Sequence, residues 1–187
     1  MRPQLLLALA ALAATAFAPA GQPDPRRYPD MMGVDLDFAV KELCAPWLAG
    51  GAEIAALTDR PGVVKAKTRP AWASGGEAFW VGNPDLMVAL TTTPRGARTC
   101  TLRSTAGDPT KLRAALGKAL AGWRVPLTPS VHIFPPGSYA RRDVLCGPKG
   151  GPQDAVLISV GQPNSPVPLM VTVMTGMPRD ARCDTAG

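Results

Sequence analysis

Four cysteines constrain this chain more than any other feature of its sequence. Cys44, Cys100, Cys146 and Cys183 are the whole set in 187 residues, and their spacings contain no CxxC pair. Because the chain has a single histidine, it does not predict a tetrahedral zinc site built from Cys and His ligands. An even number of cysteines in an exported chain indicates paired thiols. The sequence therefore predicts a domain closed by two disulfides.

The N-terminal residues indicate export. The opening carries one positive side chain, Arg2, and residues 5–14 then run without a polar group into a stretch of small residues. This apolar run is shorter than the roughly 20 residues that a transmembrane helix needs. We predict that residues 1–20 are a signal peptide, cleaved after Ala20 or, as a second choice, after Ala16. No transmembrane segment is predicted in the mature chain.

Composition agrees with an exported bacterial protein. Arg outnumbers Lys by 14 to 6, and Gly and Pro are abundant, as is typical of proteins from GC-rich bacterial genomes. We predict a periplasmic or secreted location. Residues 21–34, with three prolines, are predicted to form an extended leader. Residues 35–187 are enough for a single domain, which we expect to end in a polar C-terminal tail.

Apolar periodicity predicts two or three helices. From Asp35 onwards apolar residues fall on one stripe, and Pro46 is expected to stop or kink this helix near Cys44. A second short helix is predicted at about 52–57. Residues 109–123 form the clearest helical pattern, with an aspartate before it as N-cap and a proline at its first position.

Six segments read as strands. They are rich in β-branched, aromatic and Thr residues and comprise 78–81, 86–92, 98–104, 139–146, 155–160 and 169–175. Short turns between successive strands favour antiparallel neighbours. In the third segment, alternation directs Cys100 inward and Arg103 outward. The element order predicts an α+β fold, with a mostly antiparallel sheet of about six strands and two or three helices packed on one face.

Three disulfide pairings are open to four cysteines. We favour Cys44 with Cys100, because that bridge ties a helix to a sheet. The remaining pair, Cys146 with Cys183, then anchors the C-terminal tail.

Two segments carry a resemblance to other proteins. Residues 38–48 hold a Cys-bearing first helix with an Ala-rich helix after it, and residues 97–102 hold a Cys in a Thr-flanked strand before an Asp-Pro-capped helix. In these features the chain resembles small exported bacterial proteins of uncharacterised function, over residues 35–125. The resemblance implies a helix-to-strand disulfide, and it carries over no catalytic residues.

Ser130 and His132 are the only candidate nucleophile and base for acyl transfer that the sequence suggests. In an extended segment the two side chains share a side, which makes a small periplasmic hydrolase one alternative function. However, prolines flank the pair, no Gly-x-Ser-x-Gly elbow is present, and no carboxylate is near in sequence. We interpret His132 as a surface or edge-strand residue and predict no catalytic residues.

Other sites are not indicated either. The chain has no Walker loop and no Gly-x-Gly-x-x-Gly after a strand. Three methionines near the last strand have thioethers that bind Cu(I), but core filling is our interpretation. Three of the four tryptophans fall in phase with core stripes, with Trp72 the exception, so we favour core packing over a ligand platform. No metal and no cofactor is predicted.

Charge is unevenly distributed along the chain. Between residues 86 and 142, nine Lys or Arg face one Asp, a net charge of +8. These nine are Arg95, Arg98, Arg103, Lys111, Arg113, Lys118, Arg124, Arg141 and Arg142. On one shared face they would attract lipid headgroups or an acidic envelope polymer, whereas spread over outer faces they would serve solubility alone. Nucleic acid is not an expected partner, because the chain is predicted to be exported and no aromatic stacking pattern accompanies these residues.

These observations lead to one functional prediction and two alternatives. We predict a non-catalytic envelope protein that binds an anionic surface or a periplasmic partner through its basic residues. The alternatives are the Ser130/His132 hydrolase and an inhibitor or interaction module for an envelope enzyme.

Overall fold

The computed structural model of the chain is an α+β fold with one antiparallel sheet. It describes residues 31–73, 75–94, 96–135, 137–148, 153–177 and 181–183. The predicted signal peptide at 1–20, residues 21–30 of the predicted leader and the residues after Cys183 lie outside the described residues. The predicted fold class is confirmed, but the sheet has eight strands and the predicted number of about six is wrong.

The helices lie in two places along the chain. The first group comprises α1 (Met31–Phe38), a π-helical turn (Ala39–Cys44), α2 (Ala45–Leu48) and α3 (Ile54–Thr58), and the second is α4 (Pro109–Ala121). Two 3₁₀ turns, Ala71–Ala73 and Ala181–Cys183, complete the helical elements among the described residues.

The N-terminal helix begins earlier than predicted. Residues 31–34 were assigned to an extended leader, but they form the first turn of α1, which corrects that boundary. Met32 is 9% exposed and belongs to the main core, so its burial favours helix over extended leader at this position.

Pro46 does not end the first helix. The π-helical turn precedes it, and the Ala45 N–H donates to the Val40 carbonyl, five residues back. Pro46 follows at the second position of α2, where the helical backbone continues without its donor. The helical chain therefore continues from Met31 to Leu48.

The strands form one continuous ladder. They are β1 (Val63–Lys65), β2 (Gly76–Val81), β3 (Asn83–Thr92), β4 (Arg98–Ser104), β5 (Thr128–Pro129), β6 (Tyr139–Cys146), β7 (Gln153–Gly161) and β8 (Leu169–Met177). Their order across the sheet is β1-β2-β3-β4-β8-β7-β6-β5, with every neighbouring pair antiparallel. The chain thus has two halves, α1–α3 with β1–β4 and α4 with β5–β8. They join where β4 pairs with β8.

The main core fills the space between the helices and one face of the sheet. α1 contacts β3, α2 contacts β4, and α4 contacts β7 and β8. On that face the strands contribute residues such as Phe79, Val88, Leu102, Val171 and Ile158, each no more than 1% exposed. Burial of this apolar surface is the main stabilising contribution to the fold.

Both favoured disulfides are present. Cys44 and Cys100 join the π-helical turn to β4, and both residues have 0% exposure in the main core. Cys146 and Cys183 join the end of β6 to the second 3₁₀ turn. The predicted pairing is confirmed, and the described part of the chain has no free cysteine.

The face of the sheet turned away from α1–α4 carries two small clusters of described residues, and we call it the helix-free face. One cluster, at β2 and β3, includes Ala78, Met87 and Ala89 beneath Trp72 of the first 3₁₀ turn. The other, at β6 and β7, includes the Cys146–Cys183 bridge and Phe134. The central strands β4 and β8 lie between these two raised edges.

Candidate functional site

The β4–β8 pairing brings two arginines into one row on the helix-free face. The row crosses five strands in register and consists of Met87, Arg103, Met170, Ser159 and Arg142. Arg103 and Arg142 are therefore three strand spacings apart, roughly 14 Å between Cα atoms. Two cations that are 39 positions apart in sequence thus share one surface.

Arg103 is held at the edge formed by the first 3₁₀ turn. Its guanidinium carbon lies 5.6 Å from the centre of the Trp72 ring, a cation–π contact. Its Nε is the one buried side-chain nitrogen or oxygen without a hydrogen-bond partner among the described residues. Leaving a buried donor unpaired costs about 1–3 kcal/mol, so this atom requires an explanation.

Arg142 is held in the same way at the opposite edge. Its guanidinium carbon lies 4.9 Å from the ring centre of Tyr139 and 5.6 Å from that of Phe134. The Tyr139 hydroxyl points towards Met170, with 3.5 Å between its oxygen and Sδ. Both arginines are half-buried against aromatic rings, which restricts the positions of their guanidinium groups.

Small hydroxyl side chains line the strip between the two arginines. Ser159 lies in the same row but is only 5% exposed, whereas Thr101 and Thr172 are half-buried and pair in the next row, with their Oγ1 atoms 3.3 Å apart. Met170 and Leu157 are interleaved with them and are half-buried. We call these five residues the central strip, and its surface offers hydroxyl groups beside apolar ones.

One carboxylate shares this face among the described strand residues. Asp85, near the start of β3, accepts a hydrogen bond from the Thr105 hydroxyl at 3.0 Å. The structure records no ion pair between Asp85 and Arg103. Neither Arg103 nor Arg142 forms an ion pair with any described residue.

The other basic residues of the +8 segment do not join this surface. Arg113 and Arg141 both bind Asp143, at 3.3 and 2.8 Å, on the helix-covered side of the sheet. Arg98 donates to the Trp47 carbonyl and stacks on its ring. Of the two arrangements considered for the nine, a single shared face is therefore not what the described members form, because strand alternation and α4 divide them between two sides of the sheet.

Three basic residues remain to be placed, and a fourth falls outside the structure. Lys111 and Lys118 lie on the exposed side of α4. Arg124 binds the nearly buried Asp154 through two hydrogen bonds, 3.0 and 2.6 Å long, beside the Trp123 ring nitrogen. Arg95 lies outside the described residues.

Ser130 and His132 are close in space but are not arranged as a nucleophile and its base. The Ser130 hydroxyl donates to the Arg182 carbonyl and accepts from the His132 backbone N–H at 3.0 Å. The His132 ring is exposed and packs edge-on against Phe134, with 4.7 Å between ring centres. No hydrogen bond between the imidazole and the Ser130 hydroxyl is recorded.

A groove of about 480 Å³ lies on the helical side of the protein. It is bounded by the end of α4 and the connector after it, with Leu120, Val125 and Leu127 in its walls. Its one charged group, Arg124, is already bound to Asp154. This groove therefore offers apolar contact but no uncommitted charge.

Metal-binding and membrane-spanning features were also sought. In the described ranges, no three His, Cys, Asp or Glu side chains gather closely enough to hold a metal ion. None of the helices in those ranges is long and apolar enough to span a membrane.

No family model matches the chain, and no curated protein and no solved structure is similar to it. The resemblance to small exported bacterial proteins therefore stays a prediction. The candidate site depends on the chain's own geometry alone.

Sequence reasoning found part of this site. Alternation in β4 directed Arg103 away from the core, and that prediction is confirmed. The partners Trp72, Phe134 and Tyr139 carried no signal, because each reaches its arginine from a different segment. The one indication was that Trp72, unlike the other three tryptophans, does not fall in phase with the core stripes.

Proposed function

We propose that the protein is an exported, non-catalytic binding protein that takes an anionic ligand on the helix-free face of its sheet. One observation carries the proposal: Arg103 and Arg142 occupy a single row of that face without a carboxylate partner among the described residues. A guanidinium stacked on an aromatic ring keeps its N–H donors free for a carboxylate or phosphate.

Two further features support an exported binding role. Both disulfides belong to the folded domain, and such bonds form and persist in oxidising compartments. The buried, unpartnered Nε of Arg103 is a stability cost at this residue. Binding sites commonly retain such costs where structural positions do not.

Retention on immobilised polyphosphate tests this proposal. The protein, purified with both disulfides formed, is eluted with increasing salt. An Arg103→Gln/Arg142→Gln variant is expected to elute at distinctly lower salt, because two charges of the site are removed.

The matched control is Lys111→Gln/Lys118→Gln, which removes two exposed charges from α4. It is expected to shift elution less than the arginine double variant does. Equal shifts for the two variants would mean that only overall charge matters, and the proposal would be rejected.

A second function, an interaction module for an envelope enzyme, is favoured by a separate observation. Val131 and Ile133 are 65% and 89% exposed, beside the short edge strand β5. Exposed large apolar side chains at a sheet edge suit a protein partner.

An Ile133→Asp variant is expected to lose a partner enzyme that co-purifies with the wild type while keeping its polyphosphate retention. A partner that stays bound to this variant contradicts the idea.

A further inference from the structure

Resting on the proposed function, we infer that the ligand is an acidic polysaccharide, a chain of sugars bearing carboxylates, that lies across the central strip from Arg103 to Arg142. The inference is drawn from the spacing of the two cations, the hydroxyl groups between them and the depth at which both arginines lie.

The spacing of the cations requires a ligand with more than one charge. Arg103 leans onto Trp72, which packs over β2 and β3, whereas Arg142 leans onto Tyr139 and Phe134 at the β6 edge. Trp72 therefore draws the Arg103 guanidinium away from Arg142, whose Cα atom is already roughly 14 Å from that of Arg103. Tyr139, which contacts Arg142, extends from β6 across β7 to Met170 of β8. A single carboxylate cannot reach both groups, but an extended chain with repeated carboxylates can.

The strip between the cations matches hydroxyl groups better than it matches a peptide backbone. The backbone groups of β4, β8 and β7 are used in pairing with the strand on either side. A ligand on this face can therefore bond only to side chains, namely the hydroxyls of Thr101 and Thr172 and the two guanidinium groups, because Ser159 is only 5% exposed. A peptide would bury backbone donors and acceptors without partners, whereas sugar hydroxyls can both donate to and accept from these side chains.

The apolar groups of the central strip suit the C–H faces of a sugar ring. Met170 and Leu157 lie between the hydroxyl-bearing residues and are half-buried. Each sugar ring presents C–H groups on its faces and hydroxyls at its rim. Thioether, methyl and hydroxyl groups in two neighbouring rows fit that distribution.

The depth of the arginines argues against a flat membrane surface. Arg103 and Arg142 are half-buried between raised aromatic edges, while the exposed cations, such as Lys111, Lys118 and Arg141, belong to the helix-covered side. Lipid headgroups in a bilayer would meet the exposed cations first. A ligand one chain wide can enter between the edges.

Calorimetric titration with three probes of matched carboxylate or phosphate concentration tests the inference. The probes are oligogalacturonate, poly-glutamate of similar length, and vesicles of phosphatidylglycerol. Oligogalacturonate is expected to bind at least about ten-fold more tightly than the other two. Its fully methyl-esterified form, which has the same sugars without charge, is expected to lose at least about ten-fold in affinity.

Two variants examine the individual contacts. Thr172→Val removes one hydroxyl at constant shape and is expected to weaken oligogalacturonate binding about three- to ten-fold, the effect of one hydrogen bond. Arg103→Lys keeps the charge but loses the stacked, two-donor geometry, and a similar loss is expected. Near-ultraviolet circular dichroism verifies that each variant is folded.

The outcomes separate this inference from the proposed function. If poly-glutamate or vesicles bind as tightly as oligogalacturonate in an arginine-dependent way, the polysaccharide is ruled out and the anion-binding function stands. If Thr172→Val leaves oligogalacturonate affinity unchanged, the central strip is not the contact surface and the inference fails. If no probe binds at low salt and polyphosphate is not retained, both proposals fall together.

Discussion

Asp35 is a carboxyl group to which water has little access. The residue is 8% exposed in α1, and its Oδ2 accepts a hydrogen bond of 2.6 Å from the Asn83 side chain. Gly82, with φ of +69°, turns the chain against it, and a Cβ there would lie 2.0 Å from an Asp35 oxygen. Burial raises the pKa of Asp35, and the hydrogen bond from Asn83 opposes that rise.

This raised pKa predicts a specific pH dependence of stability. The folded protein holds the Asp35 proton above the unfolded pKa of about 3.9, so the free energy of unfolding falls as pH rises from there through the raised pKa. In Asp35→Asn this contribution is absent, and the variant should gain stability relative to wild type between pH 4 and pH 7. Urea unfolding across that range measures the difference.

Asp37 supplies the control for this experiment. It lies on the same helix, its side chain is 45% exposed, and it pairs with Lys41. Asp37→Asn should leave the pH profile close to that of wild type. An unchanged profile in Asp35→Asn as well would show that burial of Asp35 does not govern the stability in this range.

We expect Arg103 to lower the stability of the fold while it contributes to anion binding. Replacement by Met, the residue type at both neighbouring positions of the row, removes the unpartnered Nε and loses the contact with Trp72. Because the unpaired donor costs about 1–3 kcal/mol and the cation–π contact contributes about 0.5–1 kcal/mol, Arg103→Met should raise the free energy of unfolding by about 1 kcal/mol. Urea unfolding measures it.

Arg142→Met is the comparison variant. Arg142 has two aromatic contacts, and no buried nitrogen of this residue lacks a partner. Its replacement should therefore lower stability. Destabilisation by Arg103→Met of the same size would indicate that Arg103 is retained for packing and not for a ligand.

At the scale of elements, the N-cap and the proline that follows it determine where α4 begins. Asp108 precedes its first residue, Pro109, and the Asp108 carboxylate accepts a hydrogen bond of 2.8 Å from the Lys111 N–H. Both features were expected from the sequence, and the helix begins where they predict. Leu112 and Leu116 then face the main core.

Loss of this cap should be measurable. Asp108→Ala should lower the free energy of unfolding by about 1 kcal/mol, because the Lys111 N–H loses its acceptor. Asp108→Asn keeps an acceptor and should cost only a few tenths of a kcal/mol. Thermal or urea unfolding distinguishes them, and equal losses would mean that the charge of Asp108, and not the hydrogen bond, stabilises α4.

The elements that sequence reasoning missed are short or depend on distant partners. β1 and β5 have three and two residues, too few for an alternating pattern, and β5 contains Pro129. Residues 83–85 were expected to separate two strands, but Gly82 makes that turn and Asn83 begins β3. The continuation of the first helix past Pro46 depends on a π-helical turn, which no local pattern indicated.

At the scale of the whole molecule, the candidate site depends on strand order. The alternation that turns Arg103 outward is local, but its alignment with Arg142 passes through Met170 and Ser159 by three separate pairings. Alternation within one strand predicts which of its side chains face the core. The register between β4 and β8, in contrast, depends on packing of the complete core. For the same reason the nine basic residues could be counted in advance but not assigned to sides of the sheet.

The two disulfides should contribute unequally to the stability of the whole domain. They close loops of 56 and 37 residues, and on chain entropy each contributes about 4 kcal/mol. Cys44→Ala/Cys100→Ala should cost more than Cys146→Ala/Cys183→Ala, because it also leaves a cavity in the main core. Urea unfolding of the two double variants tests this, and the reverse order would contradict it.

The position of β8 has a consequence for how the sheet is assembled. The eighth strand in chain order lies between β4 and β7, so the centre of the sheet is filled after every other strand has been synthesised. A chain interrupted before Leu169 would carry two open strand edges, one on each half, with nothing between them. Such edges pair readily with other chains, so truncated products should aggregate and not persist as smaller folded domains.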